Sequence, residues 1–239
     1  MCFTVNVNIV KEEMESRYGR DFIDHEKYRP SYYYHAFSLP ELPVVKAGSI
    51  ELMRWGLIPS WVRDMTHASE VRMKTFNARS ETLDSKPSFI ESYQSKRCVI
   101  PVSGFYEWQQ AGLNKIPWYI KSASDTILSL AGLWNDWTNN VTGEVIATFT
   151  IVTTEANEKM ASIHNTARRM PLVLEGEAAG RWLSESTGND ELKSIARPCR
   201  SDYLDAWTIG PLISSRKADR NTPDILKPYS YPVSGTLFD

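Results

Sequence analysis

Residues 97–110 read RCVIPVSGFYEWQQ, and this stretch decides the fold class. β-Branched and aromatic side chains dominate it, which is the composition of strand rather than helix. Three segments of the same kind follow: IPWYIKS (116–122), TILSLAGLWNDW (126–137) and EVIATFTIVTTEA (144–156), separated by polar turns QAGLNK (110–115) and TNNVTGE (138–144). Upstream, PVVKAGSIELMRWGL (43–57) alternates around an Ala-Gly turn and reads as a hairpin. Helices punctuate these strands. Residues 9–20 read as a short surface helix, PSFIESYQS (87–95) and EANEKMASIH (155–164) as two more, and GEAAGRWLSES (176–186) as an amphipathic one. PLVL (171–174) reads as a strand, whereas RPSYYYHAFSLPELP (29–43) and NARSET (77–82) read as loops. The expectation is one α+β domain over residues 1–239, mainly an antiparallel curved sheet or open barrel with peripheral helices. Its polar tail (214–239) is expected to wrap the surface.

With 239 residues, 42% hydrophobic and a net charge of −2, the chain has the material for a large core and no global basic excess. Nothing resembles a signal peptide or a membrane-length apolar run, so a reduced cytoplasmic protein is expected. Cys2, Cys98 and Cys199 are odd in number and far apart, which argues against a disulfide framework or a structural zinc site. Neither cofactor nor metal is expected.

Five places put polar groups where a core would not want them. Cys2 stands directly behind the initiator methionine, whose removal leaves an amine and a thiol on adjacent carbons. Glu107 interrupts an apolar strand, and alternation turns it to the same face as Phe105 and away from Tyr106 and Trp108. Asn77 and Arg79 lie in NARSET, Thr153 at a strand end in IVTTEAN (151–157), and His164 at a helix end in ASIHNTARRMP (161–171). Each has a structural reading too: Glu107 an exposed edge position, His164 a packed or capping residue, Asn77 a helix cap, and Cys98 and Cys199 small buried hydrophobes.

The order MC, WGLIPSW (55–61), NARSET, RCVIPVSGFYEW, IVTTEAN, IH…RRMPLVL and a polar tail resembles the SRAP family, from Cys2 to about residue 225. These proteins were first called SOS response-associated peptidases and are now understood as abasic-site processing proteins. The resemblance implies that Met1 is removed and that Cys2 condenses with the aldehyde of an abasic site in single-stranded DNA, closing a thiazolidine. It implies Glu107 for proton transfer, His164 for protons at the deoxyribose and for lyase cleavage or reversal, and Asn77 for holding the opened sugar. It places Arg79 on a phosphate, Thr153 and Arg169 near the site, and Pro40 and Trp61 as apolar surface against bases, making single-stranded DNA the partner. Between Arg54 and Ile100 there are 8 basic and 5 acidic residues, net +3, where a DNA groove would lie.

Two departures stand out. The family begins Met-Cys-Gly-Arg, but here Phe3 and Thr4 follow Cys2, so the arginine's phosphate contact falls to another residue such as Lys86, Arg168 or Lys217. The stretch from the histidine to Arg-Met-Pro is lengthened by NTA (165–167). Two rival readings stay open: an N-terminal-cysteine peptidase or amidohydrolase using Cys2 and His164, and a non-covalent single-strand binding module.

Overall fold

The strand-rich sequence builds two sheets that share one core. The computed structural model describes residues 2–232, so Met1 and the tail's last residues, 233–239, lie outside the described residues. One sheet contains β1 (Thr4–Val7), β2 (Ser31–His35), β7 (Gly104–Ala111), β8 (Asn114–Ser122) and β12 (Leu204–Thr208). Its order is β12-β8-β7-β1-β2 and every pairing is antiparallel.

The other sheet is built from β3 (Glu41–Val45), β4 (Ile50–Trp55), β6 (Arg97–Val102), β9 (Leu128–Thr138) and β10 (Val145–Glu155). Because β10 pairs with β4 on one side and β9 on the other, these five strands close into a barrel rather than leaving it open. Beyond the barrel rim β10 continues alone and acquires two short new partners, β5 (Asn77–Arg79) in parallel and β11 (Arg169–Pro171) antiparallel.

The helices α1 (Lys11–Tyr18), α2 (Met65–Arg72), α3 (Ile90–Ser95), α4 (Glu158–Ile163), α5 (Ala178–Leu183) and α6 (Asn189–Ile195) lie between and around the strands. β6 shows why its sequence is almost continuously apolar: every one of its residues is buried, with barrel on one face and helices on the other. Even Arg97 is inside. Its guanidinium donates to the carbonyls of Tyr93, Gln94, Trp182 and Ser184, tying α3 and α5 to the barrel wall.

Three readings need correction. The 29–43 segment is not a loop: β2 occupies Ser31–His35 and pairs with β1, and β3 begins at Glu41. Its prolines misled because they are tolerated where little pairing is needed; β3 meets β6 only at Val45↔Val99, and Pro43 lies outside that ladder. NARSET likewise opens with β5, a three-residue strand whose partner β10 is more than seventy residues away in sequence. The strand expected at PLVL is centred two residues earlier, at Arg169–Pro171, with a lone bridge from Val173 to Leu130. Within the described part of the tail, Trp207 Nε1 donates to the Leu226 carbonyl, Asn221 accepts from the Tyr32 amide, and Ile225 is buried.

The start of β7 depends on a missing side chain. A β-carbon at Gly104 would sit 2.5 Å from the Ile120 carbonyl oxygen and 2.5 Å from the Tyr119 ring. Gly104→Ala is therefore expected to cost about 1–3 kcal/mol, the usual penalty of overpacking. Urea unfolding measures it; an unchanged midpoint would show that β7 is not held where described.

Candidate functional site

β-Register brings the chain's beginning to the carboxyl. β1 runs antiparallel to β7 with Val5 opposite Phe105 and Asn6 opposite Gly104, so continuing backwards from Val5 leads towards Glu107. Cys2 is wholly buried. Its thiol pKa is pushed up, chiefly by burial and next by the negative charge of Glu107, which places the two groups in one electrostatic environment.

Glu107 is 4% exposed. It shares the inward face with Phe105, as alternation predicts, so its reading as an exposed edge residue is excluded. Burial pushes its carboxyl up from 4.5 to about 7. Its Oε2 lies 4.0 Å from His164 Nε2.

His164 closes the C-terminus of α4, whose own start is capped by Asn157 accepting from the Met160 amide. The lengthened loop anchors this end: Asn165 accepts from the Gln110 amide and donates to its carbonyl, while Gln109 Nε2 donates to the Ser162 carbonyl. Asn165, one of the extra residues, thus binds β7 three positions beyond Glu107, and the end of α4 binds it two positions beyond. Arg168 turns the chain with φ 49° and its amide returns to the His164 carbonyl.

The ring of His164 is oriented by its far nitrogen. Nδ1 lies 2.9 Å from the Arg169 carbonyl oxygen. Donation to that carbonyl fixes the Nδ1–H tautomer and leaves the Nε2 lone pair towards Glu107. Burial lowers the His164 pKa and the carbonyl partly opposes this, so the ring is neutral near pH 7.

Arg169 is itself clamped. Its guanidinium grips Glu81 at 2.6 and 3.0 Å and donates to the Thr153 carbonyl at 2.7 Å. Although partial burial works against it, the Arg169 hydrogen bond holds the Glu81 carboxyl below its ordinary pKa. The sequence reading sets Arg169 near the DNA-binding site and gives Glu81 no role. The structure shows the fork engaged by Glu81, which belongs to NARSET and whose partner only the fold reveals.

Asn77 arrives on β5, opposite Ile151 of β10. Both its amide nitrogen and its amide oxygen are buried, and neither has a hydrogen-bond partner among the described residues. An amide in that state is a poor cap and a ready receptor for a ligand with both a donor and an acceptor. The ring of Phe3, next to Cys2, meets that of Phe76, next to Asn77, edge-on at 6.3 Å. Cys2, Glu107 and His164 are thus linked in one region, and Asn77 follows the Phe76 ring that meets Phe3.

Arg79 is exposed and has no ion pair among the described residues. Arg168 is exposed at the turn beside His164, and Thr153 is buried beneath Arg169. Pro40 is half-buried at the entry to β3. Trp61, 45% exposed, donates to the Pro87 carbonyl, and Lys86 lies over the Phe89 ring, so these two are neighbours. Thr4 is fully buried and cannot reach DNA. Cys98 and Cys199 are free and buried. No group of three or more potential metal ligands, and no helix long and apolar enough to cross a membrane, occurs among the described residues. A depression of about 480 Å³ lined by Tyr93, Arg97, Asn189 and Leu192 contains none of the candidate residues.

Comparison with known proteins settles the family. Residues 1–216 match the model of the SOS response-associated peptidase (SRAP) family. The chain belongs to that family. It is 38% identical over 211 residues to the abasic site processing protein YoqW of Bacillus subtilis, covering 86% of this chain and 89% of that one. It is 34% identical to the abasic site processing protein HMCES of Gallus gallus, covering 76% of this chain and 58% of the relative. A crystal structure of a Bacteroides thetaiotaomicron protein superposes with TM-score 0.91 at 34% identity, covering 96% of this chain and all of that one. A Bordetella bronchiseptica structure at 22% identity and TM-score 0.74, covering 87% and 100%, shares the fold.

Two predictions follow from the geometry. Glu107 is neutral in both folded and unfolded states at low pH, so its burial then costs little. As pH rises from 4.5 through about 7, the unfolded carboxyl ionises before the folded one and stability is lost, about 3 kcal/mol at full ionisation. Glu107→Gln should therefore gain stability relative to the parent across that window in urea titrations; a pH-independent difference would contradict a buried, raised carboxyl. Glu81→Ala should lower the Nδ1–H tautomer population of His164, read from its ¹⁵N shifts, whereas unchanged shifts would mean that the Glu81–Arg169 clamp does not orient the ring.

Proposed function

We propose that this protein processes abasic sites in single-stranded DNA by forming a covalent link between Cys2, freed by removal of Met1, and the ring-opened sugar aldehyde. The observation that carries the proposal is the position of Cys2 beside a buried carboxyl poised near neutrality. The naming of relatives such as YoqW and HMCES as abasic site processing proteins supports the same substrate.

The electrostatics set the order of events. A buried thiol with its pKa pushed up stays protonated, so it is not the first nucleophile. The α-amine of a freed Cys2, with an ordinary pKa of about 7.7–8.0, is partly neutral near pH 7 and attacks the aldehyde carbon. A carbinolamine forms; protonated Glu107 donates to its hydroxyl, water leaves, and the C=N bond of the imine is established. The neutral thiol then adds to that carbon, forming C–S, while its proton passes through Glu107 to the nitrogen. One water is lost overall and a five-membered thiazolidine results. A carboxyl with pKa about 7 suits both halves, because it holds and releases a proton with little penalty.

Neutral His164, with Nε2 facing Glu107, accepts a proton from the sugar chain in lyase cleavage and returns one in reversal. The unpaired amide of Asn77 takes the hydroxyls of the opened sugar, and exposed Arg79 takes a flanking phosphate. Arg168 and Lys86 add charge along the strand. The same thiol makes a peptidase reading less favourable, since burial and the charge of Glu107 outweigh the Thr4 backbone contact that favours the thiolate.

Denaturing gels with processed protein and an oligonucleotide carrying one abasic site test the proposal. A heat-stable shifted band lost in Cys2→Ala is expected, with at most a labile band in Cys2→Ser, and Glu107→Gln should slow its appearance by about 10² or more. Peptide cleavage with no DNA adduct, or a Cys2→Ser band as durable as the parent's, would overturn it.

A further inference from the structure

Beside the chain's start, aromatic rings form a continuous run that the chemistry above does not use. Phe37 is 52% exposed, yet it is held on three sides. Its ring centroid lies 5.4 Å from Phe3, 5.1 Å from Phe76 and 5.4 Å from His35. The run continues with Tyr33 stacked on His35 at 6.2 Å and 19°, and ends at Arg220, whose guanidinium lies 4.0 Å from the Tyr33 ring centre.

An exposed phenylalanine in a short turn usually swings freely. This one is fixed by ring contacts and by its backbone: the Ala36 amide donates to the Phe3 carbonyl, the Phe37 amide donates to His35 Nδ1, and the turn closes through Leu39 in the left-handed region. Its outer surface is open while its edges are braced. A rigid aromatic surface of this kind loses little conformational entropy when a flat apolar group settles on it.

We propose that Phe37, with His35 and Tyr33 behind it and Arg220 at the far end, is a stacking platform for the bases flanking the abasic sugar. The occupant follows from continuity and charge. Phe3 adjoins Cys2 and Phe76 adjoins Asn77, so a strand whose sugar sits at those residues passes over this surface within a nucleotide or two. Every base presents a π-face, which makes such a platform tolerant of sequence, as a lesion-directed protein requires. Burial and the neighbouring Arg220 lower the His35 pKa, so that ring is a neutral stacking partner near pH 7. Arg220 donates to the Tyr33 hydroxyl, and no carboxylate pairs with it among the described residues, which leaves its charge for a phosphate at the end of the run. Trp61, the aromatic singled out by the sequence, makes its ring contact with His67 and donates to the Pro87 carbonyl, and has no ring contact with this run among the described residues.

The inference rests on the single-strand DNA reading, and the test separates the two. The probe is an oligonucleotide with one central tetrahydrofuran residue, which mimics the abasic sugar but has no aldehyde, so fluorescence anisotropy reports non-covalent affinity. A second probe replaces the flanking bases by further tetrahydrofurans, keeping every phosphate. Phe37→Ala should weaken the first probe about tenfold and leave the second unchanged, while Phe37→Trp retains the parent's affinity. Arg220→Gln should flatten the salt dependence on both probes. Equal binding of the first probe by Phe37→Ala and the parent overturns the platform while leaving the crosslinking proposal standing. Loss of a parental dimer in Phe37→Ala, with DNA affinity intact, assigns the surface to self-association and also overturns it. A parent that binds neither probe removes both readings.

Discussion

A carboxyl group taken out of water is the constraint from which this structure's chemistry follows. Glu107 lies on a strand whose neighbours form core, and burial makes its ionised form expensive. The fold supports that position at both ends. Gly104, where a β-carbon would crowd the Ile120 carbonyl and the Tyr119 ring, lets β7 run tight against β8, and the antiparallel register with β1 feeds the chain's start towards the carboxyl. In the proposed reaction, a proton donor and acceptor near neutrality, an aminothiol freed by removal of Met1, and a neutral imidazole at 4.0 Å form a set that suits imine and thiazolidine chemistry better than thiolate chemistry.

The site is held by long-range contacts rather than by any one element. β10 leaves the barrel and recruits β5 and β11, bringing Asn77 and Arg169 to the same strand. Arg169 then fixes His164 through its carbonyl and is fixed in turn by Glu81. The lengthened loop after His164 is not slack, because Asn165 binds β7 on both its amide faces. Phe3 and Thr4, which replace the small and basic residues usual in the family, turn to packing: Thr4 is buried in β1 and Phe3 joins the aromatic run beside Asn77.

Much of this was legible where local pattern and final environment agree. The strands from Arg97 to Glu155 are recognisable by β-branched composition, and alternation puts Glu107 on the face of Phe105, though only the fold shows that this face is buried. The 29–43 segment was not legible, because its tyrosines and prolines carry a loop signature locally and become strand only when β1 pairs with them. β5 is three residues long and exists through a parallel partner far away, which no window can sense. The same holds for the site. Cys2, Asn77, Glu107 and His164 stand out in the sequence as candidates by their odd placement and by resemblance, whereas Glu81 looks like an ordinary surface acid until Arg169 arrives opposite it. Barrel closure, too, depends on a second pairing of β10 that alternation does not encode.

The most direct measurement is a carbon-13 titration of the Glu107 side-chain carboxyl, assigned by comparison with Glu107→Gln. The buried carboxyl is expected to titrate with a midpoint of about 7, far above that of an exposed glutamate. A midpoint near 4.5 would mean that the group is hydrated and ionised at neutral pH, and the proposed order of amine attack, water loss and thiol closure would lose its proton source.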